Sequence, residues 1–218
     1  MLEELNSQGQ DGARENVNSV FAAQNEASEE APFVTSEEAE DLDEKHQILK
    51  KLLLAHETWF DVTRDYQYAG QTFPGYAEFH SHGEKYVLVK SAKLWEVDAH
   101  EYLFFDLAGA LSADRVEAWV AFMKEEAIKK VEPKPNHMTS FISLVLVADS
   151  VDSQAAKLIR KTRFHKEFKL GVEGWVDLRL AAIDVDARTV YANGMGKELL
   201  PQLESALGLP TKKKLFRR

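Results

Sequence analysis

A chain of 218 residues that is 44% hydrophobic and 10% aromatic carries enough apolar side chain for one proper core, and its lack of cysteine excludes disulfides, thiolate zinc sites, iron–sulfur clusters and thiol nucleophiles. The formal charge of −9 is uneven: residues 1–45 hold thirteen acids against Arg14 and Lys45, a net of −11, which leaves +2 for the remainder. No stretch approaches the roughly 20 apolar residues of a membrane-spanning helix, and the opening MLEELNSQGQDG lacks the basic and apolar regions of an export signal, so a soluble, cytoplasmic protein with no membrane partner is expected.

Residues 1–34 are rich in Glu, Gln, Asn, Ser, Gly and Ala; burial there cannot offset the entropy of ordering, and a disordered acidic tail is expected. Order is expected from Thr35, which forms a capping-box pattern with Glu38. Leu42, Leu49, Leu52, Leu53, His56 and Phe60 then share one helical face up to about Val62. YAGQTFPG, residues 68–75, breaks that helix with Gly70, Pro74 and Gly75. Three strands follow, at about 76–82, about 85–92 and within 94–107, the first two joined by a tight turn at His82, Gly83 and Glu84. The run YLFFDLA, residues 102–108, is apolar on both faces and belongs near the centre of a sheet.

Ser112 is a good N-cap for an amphipathic helix marked by Val116, Trp119, Val120, Met123, Ala127 and Val131 and ended by Pro133 and Pro135. SFISLVLVA, residues 140–148, is a second buried strand, followed by a helix from about Val151 to Arg163. FHKEFKL, GWVDLRLAAID and RTVYAN supply further strands, and a last helix, about 196–207, precedes a basic tail at 211–218. The expectation is an α+β class: a single domain over 35–210, with a mixed, mostly antiparallel sheet flanked by helices in the order α-β-β-β-α-β-α-β-β-β-α. The helix between the YLFFDLA and SFISLVLVA strands can serve as a parallel crossover.

Two stretches raise the question of a metal. On a strand, side chains two apart share a face, so Glu78, His80 and His82 point one way, as do Glu96, Asp98 and His100. Imidazole and carboxylate donors suit a divalent ion, which would activate water for a hydrolase or phosphodiesterase reaction. A half-exposed antiparallel strand also alternates apolar and polar residues with no metal at all, and this wet-face reading is preferred, with no cofactor expected outside the metal alternative. An H-x-H at a strand end is also a feature of metal-dependent hydrolases on (β/α)-barrels, but the chain is too short for that fold.

The order helix, three strands, helix, strand resembles the core of restriction-endonuclease-like nucleases, whose sites need an Asp and a Glu-x-Lys on neighbouring strands. Here YVLVK has no acid, YLFFDLA offers Asp106 without a following lysine, and Glu167-Phe168-Lys169 matches by letters alone, so nuclease activity is not expected. NGMGKE, residues 193–198, has Glu198 where a Walker loop needs Ser or Thr, and reads as a glycine-rich helix entrance. No G-x-S-x-G is present, and His56 on an apolar stripe reads as a core histidine.

Lys157, Arg160, Lys161, Arg163, Lys166 and Lys169, with Phe164 and Phe168 between them, have the composition of a nucleic-acid contact. The strand-like spacing of the two phenylalanines turns them to the core, which leaves the cations as a solvated edge that the acidic tail could cover. The expected function is a non-catalytic binding or interaction protein whose partner is another protein or a small ligand. Metal-dependent hydrolysis and nucleic-acid binding through 157–169 are the alternatives.

Overall fold

The structure, a computed structural model, describes residues 43–80, 98–133 and 137–210, with Asp98, Ala99, His137 and Met138 described as backbone only. The expected acidic tail, the Thr35 cap, the strand at 85–92 with its preceding turn, and the basic tail lie outside the described residues.

Helix α1 (Glu44–His56) starts at Asp43, whose side chain accepts a hydrogen bond from the His46 amide, and buries Ile48, Leu49, Leu52, Leu53 and His56. It ends six residues earlier than its stripe suggests. From Asp61 onward burial alternates residue by residue, and DVTRDYQY forms β1 (Asp61–Tyr68). Val62, Thr63, Tyr66 and Tyr68 are strand formers, and pairing with the next strand satisfies a backbone that an added helical turn would leave without a packed face. The glycine read as a helix breaker is a hairpin turn: Tyr68 pairs with Gln71, and the two residues between them, Ala69 and Gly70, have φ of 48° and 79°. Positive φ at both central positions matches the right-handed twist of the flanking strands.

Strand β2 (Gln71–His80) pairs antiparallel with β1 and with β3 (Asp98–Leu111). Helix α2 (Ala113–Glu125), capped by Ser112, and a 3₁₀ turn at Ala127–Lys130 carry the chain back to β4 (His137–Val151), which runs parallel to β3. Helix α3 (Ser153–Lys161) leads into a short strand β5 (His165–Glu167) and then β6 (Trp175–Asp184), parallel to β4. Strand β7 (Thr189–Ala192), a 3₁₀ turn at Met195–Glu198 and α4 (Leu200–Ala206) are the last of the described elements.

The described residues form a single α+β domain around a mixed seven-stranded sheet in the order β1-β2-β3-β4-β6-β5, with β7 also on β6. Its helix and strand order is the expected one, although the first three strands come from 61–68, 71–80 and 98–111. YLFFDLA and SFISLVLVA occupy the parallel centre, as their two-sided apolarity requires. Helices α2 and α3 pack on one face over Phe73, Phe104 and Leu144, with Trp119 of α2 among them; α1 and α4 pack on the other over Leu103, Phe105, Val145 and Ile183. No described helix is long and apolar enough to cross a membrane.

Candidate functional site

On the face covered by α1 and α4, the sheet is apolar at the level of Phe105, Val145 and Ala181 and changes character two residues earlier on β4 and β6 and four residues earlier on β3. There Leu103 pairs with Ser143 and Ser143 with Arg179; one level further Glu101 pairs with Phe141. Arg179, only 9% exposed, donates from Nη1 to Glu101 Oε2 at 3.0 Å and from Nη2 to Glu198 Oε2 at 2.5 Å. Its guanidinium carbon lies 3.5 Å from the centre of the Phe141 ring, and the Ser143 hydroxyl donates to the other oxygen of Glu101 at 2.6 Å. Arg179 Nε is buried and has no hydrogen-bond partner among the described residues.

The two carboxylates are held differently. Glu101 sits on a central strand with a side chain 15% exposed, whereas the Glu198 side chain is 67% exposed and comes from the 3₁₀ turn. That turn is fixed by Asn193, a buried residue whose Oδ1 accepts from the amides of Leu180 and Gly196 and whose Nδ2 donates to the carbonyls of Leu178 and Thr162. All four capacities of the amide are used. Gly196 is needed because a Cβ there would stand 2.5 Å from the Leu180 carbonyl oxygen. The NGMGKE segment therefore serves close approach of turn to strand, and its Glu198 supplies an ion pair.

His56 lies under the same face. It is 6% exposed, its Nδ1 is 2.7 Å from the Leu52 carbonyl oxygen and 3.3 Å from Gln202 Nε2, and its ring meets Phe60 and Phe105 edge-on. Burial holds its pKa below the usual histidine value, against the Leu52 carbonyl and the charge of Glu101. It is the core histidine its place on the stripe suggests. At the strand edge, His165 Nδ1 is 2.8 Å from Asp177, whose hydrogen bond raises the imidazole pKa.

The opposite face carries part of the acid and histidine rows. His80 and His100 stand directly across from each other on β2 and β3, with their Nδ1 atoms 3.0 Å apart, and His80 Nε2 is 3.8 Å from Glu78 Oε1. Asp98 begins β3, where its backbone pairs with His137, and His82 and Glu96 lie outside the described residues. Among the described residues no three His, Asp or Glu side chains gather closely enough to hold an ion.

Beside the histidine pair, the Lys130 ammonium lies 4.8–5.6 Å from the ring centres of Tyr66, Tyr68, Tyr76 and Tyr102, donates to Tyr66 Oη at 2.9 Å and is 3.7 Å from Glu78. Tyr76 donates to Glu78 at 2.6 Å. Burial pushes the Tyr102 hydroxyl up to about 12 and the Tyr76 hydroxyl further, so both are donors at neutral pH. The side chains of this cage are spread over residues 66–130, and only the Tyr66 and Tyr68 alternation hints at it in the sequence.

The basic row lies along α3 and the β5 edge, where Lys157, Arg160, Lys161, Arg163, Lys166 and Lys169 are all exposed. Arg160 covers the Tyr191 ring, Lys166 lies over Phe168, and Lys169 pairs with Glu173. Phe164 and Phe168 are packed against the core, so the row offers charge without a stacking platform. A groove of about 390 Å³ between α2 and α3 mixes Glu117 and Glu125 with Lys124, Lys161 and Arg163. Asp106 is buried by Trp119 Nε1 at 2.7 Å and Arg115 at 2.8 Å, and Glu167 lies on the edge strand; the letters of the nuclease motif do not meet.

No curated protein and no solved structure matches the chain. A family model described as "Domain of unknown function (DUF8052)" matches residues 44–204, from the first residue of α1 into α4 and including both clusters, and the chain belongs to that family.

Proposed function

We propose that this domain acts by binding, not by catalysis, and that it holds a small ligand through a carboxylate or phosphate group at Arg179. The observation that carries the reading is the unequal pair of carboxylates on one immobilised guanidinium. Arg179 is fixed by Glu101 and by the Phe141 ring, while its Nη2 is satisfied by the mostly exposed arm of Glu198. An incoming oxyanion takes the place of Glu198 and finds the guanidinium already desolvated and oriented.

Energetics support a role in recognition. Burying such charges costs several kcal/mol of desolvation per ion, and well-packed apolar side chains often serve stability as well or better. Catalysis is less well supported at this place: Ser143 is fully buried, its hydroxyl donates to Glu101, and no described histidine hydrogen-bonds to it. We also propose a cytoplasmic location, on the absence of cysteine.

Thermal-shift screening of dicarboxylates and phosphate monoesters, followed by calorimetry, tests the reading. Arg179→Met should weaken the best compound about 10- to 100-fold, the range for a hydrogen bond to a charged group. Glu198→Gln removes the internal competitor and should tighten binding by up to about fivefold, the worth of an exposed ion pair. A panel that leaves both the natural chain and Glu198→Gln unshifted overturns it.

A further inference from the structure

The geometry points to a second, separate site: His80 and His100 form a two-imidazole chelate for a divalent transition-metal ion of the nickel or copper kind on the sheet face opposite Arg179. Residues directly opposed on neighbouring antiparallel strands have their Cβ atoms about 5 Å apart, close enough for two imidazoles to reach one ion. The rings meet that condition, with centroids 5.0 Å apart and Nδ1 atoms at 3.0 Å.

The separation fits one shared ion. Two nitrogens 3.0 Å apart, each bonded at about 2.0–2.1 Å, subtend about 94° at the metal. That is the angle between neighbouring ligands in octahedral and square-planar complexes, and imidazole donors in tetragonal geometry favour Cu²⁺ and Ni²⁺. Tetrahedral zinc wants a wider angle, so the same pair should prefer it less.

The protons support the same assignment. Glu78 lies toward His80 Nε2 at 3.8 Å, on the side of the ring away from His100. The charge of a carboxylate there favours the tautomer with the proton on Nε2, which leaves His80 Nδ1 with a lone pair on the His100 side of the ring. In the ion-free protein one of the two rings donates a proton across that gap; with the ion present, both Nδ1 atoms donate electron pairs to the metal and each ring carries its proton on Nε2. Glu78 is then a positioning residue behind a ligand, an arrangement metal-bound histidines regularly show. Tyr76 and Lys130, which hold Glu78 from its other oxygen, keep it there. Among the described residues no third His, Asp or Glu joins the pair.

Isothermal titration of the full chain, prepared without an affinity tag, with Ni²⁺ tests the site, with Mg²⁺ as the oxygen-preferring control. The expected result is saturable binding of one Ni²⁺, weakened at least about tenfold by His80→Ala and by His100→Ala and by a smaller factor by Glu78→Gln. Melting midpoints without metal should stay close to that of the natural chain; if His100→Ala folds poorly, His80→Ala, the change at the more exposed ring, decides alone. Undiminished Ni²⁺ binding in His80→Ala, no saturable binding in the natural chain, or equal binding of Mg²⁺ overturns the proposal. Because the site shares no residue with the Arg179 cluster, its failure leaves the ligand-binding reading untouched, and the reverse holds.

Discussion

His56 shows what one buried titratable side chain does to the whole chain's stability. Its pKa is lowered by burial, so the folded protein keeps the ring neutral while the unfolded chain takes up a proton near pH 6.5. Above that pH its contribution is complete; below it the unfolded state binds more protons, and stability falls until the folded ring also titrates. His165, raised by Asp177, works in the opposite sense, so the comparison must be made against a variant. Urea unfolding at pH 7.5 and 5.5 should show the natural chain losing stability toward acid and His56→Phe losing less, with a difference of at most about 1.4 kcal/mol per pH unit. Parallel losses in both would mean that the ring is not held neutral. The burial of His56 was readable from its place on the stripe. Arg179 was not, because in GWVDLRLAAID it is one of three charged letters in an otherwise apolar run, and its partner Glu101 lies 78 positions away.

Among the elements, the 3₁₀ turn at Met195–Glu198 is the piece on which the candidate site depends, since it carries Glu198 and rests directly on the backbone of β6. Two glycines allow its importance to be measured. A Cβ on Gly196 meets the Leu180 carbonyl oxygen at 2.5 Å, while a Cβ on Gly75 meets the tip of the Leu53 side chain at 2.7 Å. Backbone in a central sheet cannot yield and a leucine rotamer can, so in urea melts Gly196→Ala should cost about 1–3 kcal/mol and Gly75→Ala less. The reverse order would show that the turn adjusts freely and does not fix Glu198. The helix start at Ser112 was legible because a cap is a local pattern, and its side chain accepts from the Arg115 amide as expected. The hairpin of β1 and β2 was less so: a helical stripe ran into an alternating one with no break between them, and the turn that ends β1 was read as the break that ends the helix.

For the whole molecule, stability should be graded outward from the parallel centre. Strands β3, β4 and β6 are covered on both faces, whereas β1 alternates exposed and half-buried residues and β5 is exposed throughout its three residues. Native-state hydrogen exchange should therefore find the slowest amides in 102–108, 141–148 and 178–183, and the fastest strand amides in 165–167. Fast exchange in 141–148 would contradict a core built on those strands. The sequence by itself determined the α+β class, the order of helices and strands and the central place of YLFFDLA and SFISLVLVA, because burial on one face or two is written in side-chain spacing of two or three to four residues. Only the tertiary structure decided which polar residues meet: Arg179 with Glu101 and Glu198, His80 with His100, Lys130 with four tyrosines. Those meetings depend on which strands become neighbours and on where a turn lands, and neither is written in the spacing along the chain.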